Sequence, residues 1–126
     1  MANAMTDAKK ILVVEDDEVA RELMRRTLER AGYEVAEAED GARGFELAVS
    51  ARPDLIVTDV QMPGADGLSL VRQVRETPGI EATPILVTTG FGTGSATLTL
   101  ASGADAYEPK PLEAASLLES VRRLLA

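Results

Sequence analysis

A chain of 126 residues that lacks cysteine and histidine and carries a net charge of −8 at pH 7 excludes much before any motif is considered. Disulfides, thiolate metal sites, phosphohistidine, imidazole bases and histidine ligands are closed to it, and its acidity opposes direct contact with nucleic acid or anionic membranes. Hydrophobic residues make up 45% and aromatic ones only 3%, so the core of this single domain is expected to be aliphatic. No apolar run approaches the ~18–20 residues that span a bilayer, and MANAMTDAKK lacks the apolar stretch of a secretory signal. A cytoplasmic protein is expected, with a flexible lead-in over residues 1–9 and one domain over residues 10–126.

Three short runs, Ile11–Val14 (ILVV), Leu55–Thr58 (LIVT) and Ile85–Thr88 (ILVT), are apolar on consecutive positions and rich in β-branched residues. A strand buried on both faces of a parallel sheet has this pattern. After the first run, Ala20, Leu23, Met24, Thr27, Leu28 and Ala31 recur at steps of three and four, with Arg and Glu opposite, and predict a helix over Asp17–Ala31 that Gly32 stops. Glu34–Ala38 (EVAEA) alternates, which suits an edge strand. Gly41–Ser50 is a second helix, weakened by Gly44, and Leu68–Glu76 a third, ended by Thr77-Pro78-Gly79. A short strand near Ala106–Glu108 precedes Leu112–Leu125, where Leu117, Leu118, Val121, Leu124 and Leu125 form one stripe. The alternation βαβαβαβαβα implies an α/β fold, a parallel sheet with helices on both faces.

In such sheets ligands bind outside the carboxyl ends of the strands. Those ends carry Glu15-Asp16-Asp17, Asp59, Thr89 and Lys110. Singly, each has an ordinary structural explanation as a cap, a turn residue or a solvated charge. Together on one rim they suggest chemistry. Crowded carboxylates repel one another unless a cation joins them, and with no nitrogen or sulfur ligand the cation should be Mg²⁺ or Mn²⁺. A carboxylate beside such a metal can attack a phosphoryl group and form an acyl phosphate, whose oxygens a metal, an ammonium and a hydroxyl would neutralise.

The segments VVEDDE, TDVQMPGADGL, ILVTTG and AYEPKP, in that order, resemble the receiver domain of two-component response regulators. The resemblance runs from Lys10 to Ala126. Its most specific part is D-x-x-M-P-x-x-D-G (Asp59, Met62, Pro63, Asp66, Gly67) combined with Lys110-Pro111. It implies a flavodoxin-like, doubly wound, five-stranded parallel sheet in the order 2-1-3-4-5. It also implies that Asp59 is the phosphoacceptor and that Asp16 binds Mg²⁺ directly. Glu15 would act through a metal-bound water, and the backbone carbonyl of Gln61 would be a further ligand. Thr89 and Lys110 would hold phosphoryl oxygens, helped by the amides of Gln61 and Gly90. Tyr107 would turn inward as Thr89 is drawn to the phosphoryl group, and Lys110–Pro111 would be cis. Asp17 lies one place too late for the acid pair and is expected to cap the first helix.

On this resemblance the protein is a phosphorylation-dependent switch rather than an enzyme. A histidine kinase or histidine phosphotransfer protein would supply the phosphoryl group, and an unspecified downstream protein would read the surface of the fourth helix, fifth strand and fifth helix. A monomer or weak homodimer is expected, either a stand-alone receiver or part of a longer regulator or hybrid kinase. Departures cluster in ILVTTGFGTGSATLTLASGADAY, uncharged until Asp105. Gly90 stands where alanine is frequent, and GFGTG matches neither a dinucleotide fingerprint nor a P-loop. ATLTLA has poor helix propensity, so a weak, moving helix is expected between Thr89 and Tyr107. Gln61 and Phe91 occupy positions expected to set the lifetime of the phosphorylated form. Leu112 replaces a frequent phenylalanine. The competing readings are a receiver-like interaction module that needs no phosphorylation, and a dehalogenase-type phosphatase, whose D-x-D the chain lacks.

Overall fold

The computed structural model describes residues 8–60, 67–90 and 103–126. The expectations for Gln61, Met62, Pro63 and Asp66, for Phe91 and GFGTG beyond Gly90, for the weak helix between Thr89 and Tyr107, and for lead-in residues 1–7 lie outside these described residues.

The three apolar runs form the central strands β1 (Lys10–Val14), β3 (Leu55–Asp59) and β4 (Ile85–Thr89). Every residue of β3 and β4 is buried, as is all of β1 after Lys10. The alternating β2 (Glu34–Ala38) and the short β5 (Ala106–Pro109) close the two edges. All pairings are parallel, in the order β2-β1-β3-β4-β5 predicted from the resemblance. Because β1 lies between β2 and β3, the chain winds in opposite directions from it. The crevice therefore opens at the carboxyl ends of β1 and β3.

Four helices flank the sheet among the described residues: α1 (Glu18–Arg30), α2 (Gly41–Ala51), α3 (Gly67–Arg75) and α4 (Ala114–Leu125). Met24 and Leu28 of α1 pack with Leu117 and Val121 of α4 on Ile11, Val13, Leu55, Val57 and Leu86. On the other face, α2 and α3 bury Ala48, Leu70, Val71 and Val74 against Leu12, Val14, Ile56, Ile85 and Val87. Both cores are aliphatic, as the composition requires. Successive strand side chains alternate between them, which is why the strands are apolar at every position.

Local chemistry sets the helix ends. The Asp17 carboxylate accepts a hydrogen bond from the Ala20 amide at 2.8 Å and caps α1. At the other end Gly32 takes φ +99°, the Tyr33 N–H donates to the Leu28 carbonyl and the Gly32 N–H donates to the Glu29 carbonyl. This pair of bonds satisfies the last turn of the helix and ends it where glycine permits a left-handed residue. Gly44, a weak point by propensity, faces β1: a Cβ there would lie 2.9 Å from Val14 Cγ2. Its missing side chain lets α2 approach the sheet.

One helical stripe differs from expectation. Leu23, placed on the apolar face of the first helix, is 60% exposed and Val19 beside it 69%. The core contact of α1 is narrow, centred on Met24 and Leu28, and Leu23 falls on its flank. At the opposite edge of the sheet, Arg75 joins three segments. Its guanidinium donates to the carbonyls of Gly103, Glu81 and Thr83 at 2.7–3.0 Å and to the Asp105 carboxylate at 2.7 Å. Asp105 in turn accepts the Ile85 amide at 2.8 Å. The start of β4 and the approach to β5 are thereby tied to the end of α3.

Candidate functional site

Strand β1 ends on Val14, and Glu15 continues it by donating its N–H to the Ala38 carbonyl at 3.0 Å. The Glu15 side chain is buried. Strand β3 runs one residue beyond its apolar segment and ends on Asp59, also buried. Lys110 follows β5 at the far side of β4, and its ammonium reaches across to Glu15 Oε1 at 2.9 Å and Asp59 Oδ2 at 3.0 Å. Asp16, exposed on the rim, completes a cluster in which one oxygen each from Glu15, Asp16 and Asp59 lies within 4.8 Å of the others. Four of the charged side chains picked out on the rim thus converge.

The electrostatics follow from burial. Taking Glu15 out of water raises its pKa above the ordinary value; the hydrogen bonds from Lys110 and from the Asp17 amide pull the other way without cancelling this. Burial also works against the charge of Lys110. Hydrogen bonds to Glu15 and Asp59, with their negative charges, outweigh it and hold the ammonium above the ordinary lysine value. Lys110 is therefore a charged donor at neutral pH, fixed between two carboxylates. An all-oxygen donor set of three crowded acids suits a hard divalent cation such as Mg²⁺.

The remaining predicted residues occupy the same rim. Thr89 is buried at the end of β4, and its carbonyl accepts the Lys110 backbone N–H at 2.8 Å. Gly90 is exposed immediately beyond it, and among the described residues, its chain neighbours aside, no atom lies within 4 Å of where a Cβ would stand. Tyr107 is half-buried on β5 opposite Val87. Lys110–Pro111 is cis. Leu112, in place of the frequent phenylalanine, packs against the α1–α4 core. Asp17 caps α1, and its own N–H donates to Glu15 Oε2 at 3.1 Å. Thr88, in register with Asp59, carries a buried hydroxyl without a hydrogen-bond partner among the described residues.

Arg21 was not picked out by sequence reasoning. Its guanidinium donates to the Glu15 carbonyl at 2.8 Å. Among the alternating Arg and Glu of α1 nothing distinguishes it except its place one turn after the acids.

The model of the response regulator receiver domain matches residues 11–122. The chain belongs to this family. As a receiver domain it is 45% identical over 117 residues to response regulator MprA of Mycolicibacterium vanbaalenii, an alignment covering 92% of the chain and 50% of that protein. It spans about half the length of the curated relatives it matches. Among solved structures it superposes on chemotaxis protein CheY4 of Vibrio cholerae with a TM-score of 0.88 at 35% identity, covering 94% of this chain and 99% of that one. The receiver domain of a signal transduction histidine kinase from Syntrophus aciditrophicus gives 0.86 at 33% identity, covering 94% and 90%.

Receiver domains are phosphoacceptors of two-component signalling whose acidic pocket binds Mg²⁺, and they work with a histidine kinase or phosphotransfer partner. Among the described residues no helix is long and apolar enough to cross a membrane.

Proposed function

We propose that this receiver domain is a phosphorylation-dependent switch whose acceptor is Asp59. The observation that carries the reading is the buried Asp59 carboxylate, held 3.0 Å from the Lys110 ammonium inside a cluster of three acids. Glu15, Asp16, Asp59 and the Gln61 backbone carbonyl would hold Mg²⁺. Bound there, the ion would neutralise charge on the transferring phosphoryl group.

The chain has no histidine, so the donor imidazole belongs to a histidine kinase or histidine phosphotransfer protein. An Asp59 carboxylate oxygen attacks phosphorus, the phosphorus–nitrogen bond of the donor breaks, and the released imidazole takes a proton from solvent. Lys110 and the Thr89 hydroxyl hold phosphoryl oxygens, with the Gln61 and Gly90 amides. The resulting acyl phosphate favours the conformer in which Thr89 and Tyr107 move together, changing the partner face that includes β5 and α4.

The donor's approach is suggested by the groove between α1 and α4. Ala20, Leu23, Met24, Pro111, Leu112 and Leu117 line it, and it runs up to Lys110. With Val19 and Leu23 exposed beside it, this apolar surface continuous with the phosphorylation site suits a helix of the phosphodonor. A cytoplasmic location is part of the same proposal.

Incubation with acetyl phosphate and Mg²⁺ should add one phosphoryl group, read by intact mass. No adduct on the native chain, or an undiminished adduct on Asp59→Asn, would refute the assignment.

A further inference from the structure

Two acidic side chains hold a metal more tightly when the backbone between them is fixed. The Glu15–Asp16 peptide lies beyond the last residue of β1, outside the sheet ladder that orders Val14. Its neighbourhood supplies a substitute. The Glu15 N–H is tied to Ala38 at the end of β2, and its carbonyl accepts Arg21 Nη1 at 2.8 Å. The Arg21 side chain is only 17% exposed, and its Nε lies 3.4 Å from Glu37 Oε1 on β2. The planar guanidinium thus spans from the β1–α1 turn to the neighbouring strand, in a geometry that Arg supplies and Lys does not.

We infer that Arg21 is a positioning residue for the metal site: by holding the Glu15 carbonyl it sets the plane of the Glu15–Asp16 peptide, and so the direction in which Asp16 presents its carboxylate beside Asp59. Among the described residues Arg21 pairs with the carboxylate of Glu37 and with none of the three in the cluster; it acts on the cluster through the backbone. The inference rests on the reading of Glu15, Asp16 and Asp59 as the Mg²⁺ site. It also has a distinctive sign. Removing a cation from beside an acidic cluster should by Coulomb's law tighten Mg²⁺ binding, whereas loss of positioning weakens it.

Arg25 supplies a matched control. It pairs with the same Glu37, at 3.3 Å, and with Glu29 at 2.9 Å, on the same helix. Calorimetric titration of the whole chain with MgCl₂ is the test, with Asp16 and Glu15 amide shifts followed by NMR. Arg21→Met is expected to raise the Mg²⁺ Kd at least about tenfold, the magnitude typical of lost groups that orient metal ligands. Arg25→Met should stay within about twofold of the native chain, as a partly exposed ion pair should. Arg21→Lys should bind more weakly than the native chain but better than Arg21→Met. It carries the test alone if Arg21→Met does not fold.

A Kd for Arg21→Met equal to or below the native value overturns the inference. So does an equal loss in Arg25→Met, or an Arg21→Lys indistinguishable from the native chain. If the native chain itself binds no Mg²⁺, the metal-site reading fails and the inference falls with it. That outcome is distinct from a native site indifferent to Arg21.

Discussion

Each backbone and carboxylate polar atom of Glu15 has a partner: Ala38, Arg21, Lys110 and the Asp17 amide. The residue is nevertheless costly, because burial raises its pKa above the ordinary 4.5. A group whose folded pKa is raised contributes stability that is fully present below its unfolded pKa and lost as pH rises through the folded one. The native chain therefore loses stability from Glu15 as this carboxyl ionises, while the neutral amide of Glu15→Gln does not titrate. In metal-free buffer, the stability of Glu15→Gln relative to the native chain should rise as pH climbs from the ordinary glutamate value of 4.5 through the raised one of Glu15, measured by urea melts. A relative stability that falls over that interval would contradict the raised pKa. Lys110 is raised as well, from 10.5, so its contribution is lost only in alkaline solution, above the range of that experiment.

Between elements, the contact of α2 with β1 turns on Gly44. Alanine there would gain about 1 kcal/mol of helix propensity. Its Cβ, however, would lie 2.9 and 3.1 Å from the two Val14 methyls and 3.4 Å from Leu70 Cδ2. Val14 is buried and β-branched and so cannot swing away. Overpacking of this kind costs about 1–3 kcal/mol, so Gly44→Ala is expected to destabilise the protein on balance. Gly90→Ala meets no atom of the described residues within 4 Å beyond its chain neighbours and needs no left-handed φ, and should change stability by no more than about 0.5 kcal/mol. Denaturant midpoints of the two variants check both; a more stable Gly44→Ala would show that α2 can retreat from the sheet at little cost.

At the scale of the whole molecule, the carboxyl ends of β1 and β3 gather negative charge in a chain already at −8. A cation that binds the folded cluster but not the dispersed unfolded acids stabilises by mass action, about 2.7 kcal/mol at a hundredfold excess over Kd. Mg²⁺ should therefore raise Tm by several degrees, since about 1 kcal/mol moves a domain of this size by roughly 3–5 °C. Sodium chloride at equal ionic strength should do less, and Asp16→Asn should flatten the Mg²⁺ response. A Tm indifferent to Mg²⁺ in the native chain would argue against the metal site.

Much of this was legible in sequence, because burial on both faces leaves a local trace. ILVV, LIVT and ILVT read as central strands, EVAEA as an edge, and Asp17 and Gly32 as the ends of α1, since each depends on chemistry within a few residues. The acids at the ends of β1 and β3 followed from knowing where parallel sheets bind ligands. The strand order and the family came from the quoted motifs as a set. Leu23 was misplaced because a periodic stripe records which side of a helix faces inward, not how wide the contact is. Only the tertiary structure decided that Lys110 bridges Glu15, 95 residues away, and Asp59, 51 away. It alone separates Arg21 from Arg25 and Arg26, and turns Gly44 from a helical weakness into a packing requirement. Propensity and periodicity are properties of neighbours along the chain. Which donor meets which acceptor across a sheet is set by register and by the packing of elements distant in sequence, and neither is written in a local window.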